Sequence, residues 1–188
     1  MASNLPHLDA EITDIVCRLH ALLDSSQYTL CNTEIHDLTC FVVHKLLSWS
    51  PRPQIDSSLY DLTTSGSVRN ALVLYMLLIQ GPTYFSHARL QYTTAIKLQA
   101  QMEHTWCSLL LSHGSLTLWL LTVGMVASEG IPEYQWFTAQ AGAAAEALRL
   151  QNWSDVVYRL RDIVWLDSIP AERLFQQNWY ELLTTTAT

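Results

Sequence analysis

Charge is what this chain has least of. Only 14% of its residues are charged, and its only lysines are Lys45 and Lys97. An ordinary globular domain is about one quarter charged. Much of the chain is therefore expected to be covered, by its own core, by a pocket or by a partner. The formal net charge is −7 and no Lys/Arg cluster occurs. Nucleic-acid binding needs clustered cations that displace counterions from phosphates. Direct DNA or RNA binding is excluded as an expectation, and so is adhesion to an anionic membrane surface.

Metal and disulfide frameworks are equally thin. The cysteines are Cys17, Cys31, Cys40 and Cys107. None forms a Cys-x-x-Cys pair, so the usual zinc spacing is missing. The amino-terminal MASNLPHLDAEI has neither a basic start nor an apolar signal core. Free thiols in a reducing compartment follow, with the cysteines as small core residues of helices. The expected location is intracellular, in the nucleus or the cytoplasm.

Catalytic signatures are missing too. Glu103-His104 lacks the order and spacing of a His-Glu-x-x-His zinc helix. Ser115 and Ser128 lack the Gly-x-Ser-x-Gly turn. No glycine loop cradles a phosphate. His36 and His44 lie two helical turns apart without a third ligand. No metal and no cofactor are expected.

Strand alternation is not found, whereas helical periodicity dominates. Leu8, Ile12, Ile15, Leu19 and Leu22 step by three and four. Ile35, Leu38, Val42, Leu46 and Trp49 form a second face, capped by Asn32 or Thr33 and stopped by Ser-Pro-Arg-Pro. Residues 54–66 read as a polar connection with room for one helical turn, and Ser67 as the cap of an apolar helix closing at Gly81-Pro82. A helix beginning near Ser86 runs on, with a break allowed, towards Leu111. Residues 104–128 carry no formal charge. His113-Gly114-Ser115 breaks that run, leaving pieces too short to span a bilayer, so two successive buried helices are expected.

Gly130 ends the second apolar helix, and Pro132 opens an alanine-rich one suited to close helix packing. Asn152 or Ser154 caps VVYRLRDIVWL, and Pro170 opens the last helix, whose TTTAT end is expected to fray. The fold class expected is all-α: a single bundle of about seven to nine helices over residues 1–188, with two fully buried central helices.

Several strings carry a family likeness. They are the apolar helix at 67–80, LWLLTVGMVASEG at 118–130, the pair Trp136-Phe137, and LRLQNWSDVVYRLRDIVWLD at 148–167. In that order they resemble the helical regulatory region of fungal zinc-cluster transcription factors, best over 68–167. The six-cysteine DNA-reading cluster of that family is not in this sequence. The resemblance implies a regulatory effector module that acts by association and does not itself bind DNA.

A few residues stand out chemically. Arg69 near the start of one apolar helix and Asp167 at the end of another both oppose the helix dipole. Each therefore calls for a tertiary partner, first of all in a structural ion pair, with each other as one choice. Tyr84, Phe85 and His87 follow the Gly81-Pro82 bend and are placed to line a pocket mouth. His87 reads either as an exposed helix start or as an acid–base group. Seven tryptophans supply either core or the wall of a cavity, and Tyr75, Tyr84, Trp106 and Trp119 are the candidate ligand-binding residues.

The function expected first is a stand-alone regulatory module that binds a hydrophobic small molecule or a protein partner, with a homodimer as one form. The alternative is a small hydrophobic-pocket enzyme, a cyclase or isomerase of a fungal secondary-metabolite pathway. It would work by positioning and water exclusion, with His87, Arg69 and Asp167 as its polar groups. A structural, oligomer-forming helical protein is the third reading.

Overall fold

A computed structural model describes residues 6–23, 30–50, 59–81 and 87–186, with the helix-end positions 59–61, 169 and 185–186 given by backbone alone. The fold is all-α, with nine helices and no strand among the described residues. They are α1 (Ala10–Leu23), α2 (Asn32–Ser48), α3 (Leu59–Gln80), α4 (Ala88–Met102), α5 (Trp106–Ser112), α6 (Gly114–Ala127), α7 (Glu133–Leu148), α8 (Trp153–Leu160) and α9 (Ile169–Thr186).

Helix α6 is the hub. Its residues 116–127 are all buried, with Leu118, Trp119, Leu120, Leu121 and Met125 without measurable exposure. It touches α3, α4, α5, α7, α8 and α9. A helix apolar on every side is stable only when every side is covered. Helix α3 is the second interior element, buried from 64 to 77 apart from Arg69, and it meets α1, α2, α4, α6 and α9. Within it, Leu62–Gln80 is long and apolar enough to cross a membrane by length and composition, but most of it is buried inside the bundle. Each fully buried Leu or Met of these helices contributes on the order of 2 kcal/mol.

Local sequence accounts for most of the boundaries. His113 breaks α5 from α6. Gly130 takes a left-handed φ of 87° after α6, which costs glycine nothing. Asn152 caps α8, its side chain accepting the Asp155 amide at 3.1 Å. The Asp155 carboxylate returns to the Asn152 amide at 3.3 Å, a reciprocal capping box. Helices α6 and α7 pack tightly at Gly124, where an added Cβ would stand 2.2 Å from Phe137 Cε1.

Other boundaries differ from the sequence-based expectations. Helix α3 starts at Leu59, so the polar run 59–66 is helical and Ser67 lies inside the helix. The Ser67 hydroxyl donates to the Thr63 carbonyl at 3.0 Å instead of capping. The Ser65 hydroxyl accepts the Asp9 amide at 2.9 Å, and Gly66 lets Gln101 of α4 come close. Tertiary contacts have overridden a local sequence that reads as a loop.

Cys31, rather than Asn32 or Thr33, precedes α2. Its amide donates to Glu34 at 2.7 Å, which holds the Glu34 carboxyl below its ordinary range. Leu23 rather than Leu22 is buried on α1. All four cysteines are free and exposed, not core residues. Residues 184–186 remain helical, and 187–188 lie outside the described residues, as do Ser86 and the Ser-Pro-Arg-Pro stop beyond Ser50.

Candidate functional site

The aromatic residues singled out in the sequence build the interior. Tyr75 of α3 is buried, 5.7 Å from the Trp119 ring and 6.1 Å from the Phe175 ring. Phe175 continues the stack to Trp165 at 5.3 Å, and Trp165 to Trp153 at 6.0 Å. The polar tips of this cluster have a specific task. Helix α8 stops at Leu160, and residues 164–168 run on without helical structure while 163–166 stay buried. Buried backbone outside secondary structure must find partners for its amides and carbonyls. Trp119 Nε1 donates to the Val164 carbonyl at 2.8 Å. The Leu166 amide donates to the Tyr75 hydroxyl at 2.7 Å. The His20 ring lies 2.9 Å from the Ile163 carbonyl through Nδ1. Burial pushes the Tyr75 phenol well above its ordinary range, against the lowering effect of the Leu166 amide. Trp106 of α5 is half-buried against the core. Tyr84 and Phe85 lie outside the described residues.

The three polar candidates are not brought together. Asp167 is not at a helix end. It stands in the irregular segment, exposed, and accepts Arg161 at 2.9 and 3.0 Å. Arg69 is inside α3 rather than in its first turn, and its guanidinium lies over Trp49 at 5.7 Å from the ring centroid. Its Nε is buried without a hydrogen-bond partner among the described residues. His87 is exposed immediately before α4, where its carbonyl accepts the Gln91 amide at 2.8 Å. The pairing of Arg69 with Asp167 is thus replaced by two separate arrangements, a cation over an indole and a surface ion pair.

A groove of about 500 Å³ lies between α7 and α9. Tyr134, Thr138, Gly142 and Glu146 recur every fourth residue and so share one face of α7. Ala139 and Ala143 extend that wall, and Asn178, Glu181 and Leu182 of α9 form the other. The alanine-rich run explains the opening. Ala141, Ala144 and Ala145 are buried, while Ala139 and Ala143 are exposed on the groove side. Side chains this short cannot fill the space to α9. An added Cβ at Gly142 would meet only Leu182, at 3.9 Å.

The groove has an electrostatic sign. Among the described residues that line it are Glu146 and Glu181 but no Lys or Arg. Partial burial raises the Tyr134 phenol above its ordinary range, and the charges of Glu181 and Glu129 add to the shift. The phenol therefore remains a neutral donor and acceptor near neutral pH. An apolar floor of Ala139, Gly142, Ala143 and Leu182 beneath two carboxylates suits a cation with an apolar body.

A smaller groove of about 160 Å³ lies between α1 and α2, walled by Leu22, Leu38 and Phe41 among others, with Asp14, Arg18 and Lys45 at its edge. Its charges already include a pair, Arg18 with Asp14 at 2.9 Å. No group of three or more His, Cys, Asp or Glu side chains among the described residues could hold a metal ion.

The sequence shows the alanine-rich helix but not the groove. The period-four recurrence of Tyr134, Thr138, Gly142 and Glu146 was its only trace. Comparison of the chain with protein-family models, with curated proteins and with solved structures gives no match to any of them.

Proposed function

We propose that the chain is a non-catalytic helical binding module. Its occupant, a partner segment or a small molecule with a positive group on an apolar body, sits in the groove between α7 and α9. The carrying observation is the groove itself. It pairs a floor of small apolar residues with Glu146 and Glu181, and no Lys or Arg is among the described residues that line it. An overall charge of −7 draws the same class of occupant and repels phosphate backbones.

Two further observations support the reading. Tyr75 and Trp119 already use their polar atoms on the 164–166 backbone, which leaves the core aromatics in a packing role. The resemblance in sequence to fungal zinc-cluster effector regions lies in the strings that form an apolar α3, a Leu/Trp-rich α6, Trp136-Phe137 on α7 and then α8. That resemblance carries the proposal that the module is regulatory and works by association.

Native mass spectrometry of the purified protein beside Ala143→Trp, which fills the groove, tests the reading. The wild type is expected to retain an added mass, either a small molecule or a second chain, that the variant loses. Spectra that are the same for both proteins contradict the proposal.

A further inference from the structure

The α1–α2 groove and the α7–α9 groove carry opposite signs on apolar ground. On α2, Phe41 and Lys45 stand four residues apart and share one face. On α1, Leu22 and Arg18 do the same. Phe41 is 66% exposed and Leu22 42%, so this rim offers two large apolar side chains that the bundle does not cover. Arg18 is neutralised by Asp14 at 2.9 Å. Lys45 forms no ion pair among the described residues, and it is the excess charge of the rim. In the α7–α9 groove, Glu146 is likewise outside any ion pair among the described residues, and it stands with Glu181 over an apolar floor. Charge decides which surface can meet which. Rim on rim and groove on groove bring like signs together, which costs affinity. Rim on groove joins opposite signs and covers Phe41.

We infer that the occupant of the α7–α9 groove is a second copy of this chain, which inserts Phe41 and Lys45 of its α2. This pairing rests on the groove reading above and names the partner: Lys45 is the positive group and Phe41 the apolar body. The short side chains of α7 leave the space that the Phe41 ring enters, and Lys45 meets the carboxylates of Glu146 and Glu181. Two different surfaces meet, so the contact is heterologous. Each bound copy still offers one rim or one groove, and further copies add head to tail until a ring closes. The net charge of −7 on every copy opposes association, so the contact is weak and the assembly grows with concentration.

Analytical ultracentrifugation of the intact protein from about 10 μM to about 1 mM, the range in which weak contacts show, reads the assembly. The wild type is expected to gain mass with concentration, and excess hexylamine, which competes for the groove, should return it to monomer. Phe41→Ser/Lys45→Glu and Ala143→Trp should each stay monomeric alone. Mixed in equal amounts they should form a dimer and nothing larger, because one supplies the groove and the other the rim. Glu146→Lys, which leaves the groove open, should be monomeric too. Association that persists in both Ala143→Trp and Glu146→Lys, or a mixture that stays monomeric, would overturn the assignment. A wild type that is monomeric throughout, while hexylamine still shifts Tyr134 and Gly142, overturns the second copy as occupant and leaves the groove reading standing. Loss of the hexylamine response as well removes both.

Discussion

The Leu166 amide donates to the Tyr75 hydroxyl at 2.7 Å inside the protein, across 91 residues of sequence. With Trp119 Nε1 on the Val164 carbonyl, it fastens the non-helical segment after α8 to the two interior helices. The buried phenol and indole thus satisfy backbone that no helix satisfies.

Tyr75→Phe removes the acceptor and leaves a buried amide unpaired. The expected loss is about 1–3 kcal/mol, measured by urea unfolding. The same variant tests an alkaline effect. The Tyr75 phenol is raised above its ordinary value of about 10, so above that pH the unfolded chain releases a proton that the folded chain keeps. Stability is full below about pH 10 and falls as pH rises from there towards the folded value, by up to ~1.4 kcal/mol per pH unit. Tyr75→Phe should lack this part of the slope, and an unchanged slope would remove the phenol as its source.

Gly124→Ala places a methyl group 2.2 Å from Phe137 Cε1. Because Phe137 is fully buried, it has little room to yield, and overpacking should cost about 1–3 kcal/mol. Adding Phe137→Leu should recover part of that loss, which a double-mutant cycle would show as coupling between the two sites.

Arg149 ends α7 at φ 57° and ψ 42°, a conformation that strains an L side chain. Its side chain is exposed. Arg149→Gly should therefore stabilise the fold by roughly 0.5–1 kcal/mol, read as a rise in Tm of about 1–4 °C. A fall in Tm would mean that the Arg149 side chain contributes more than its backbone costs.

Asp167→Asn breaks only the exposed pair with Arg161. It should change stability by less than about 1 kcal/mol and leave groove binding intact. A larger loss in thermal unfolding would show that Asp167 has the structural weight its sequence context suggested.

Helix breaks that rest on one local signal were legible in the sequence: His113 between α5 and α6, Gly130 after α6, and Asn152 before α8. The start of α3 was not. Thr63, Thr64, Ser65 and Gly66 read locally as a loop, and contacts with Asp9 and Gln101 from distant parts of the chain decide otherwise. Residues 161–167 failed for the opposite reason. Their apolar spacing continues that of α8, and periodicity cannot tell a buried irregular segment from a buried helix. The groove was hidden because it arises from the short side chains of α7 standing away from α9, which requires both helices in place.

If the α7–α9 groove receives a cation with an apolar body, it should tell an amine from a carboxylate on the same alkyl chain. An NMR titration of the protein with hexylamine and, separately, with hexanoate reads that difference. Saturable shifts are expected from hexylamine at Tyr134, Gly142 and Glu181, with binding at least about tenfold tighter than hexanoate, and loss of the effect in Ala143→Trp and in Glu146→Gln/Glu181→Gln. Equal response to both compounds, or a response that survives Ala143→Trp, would contradict it.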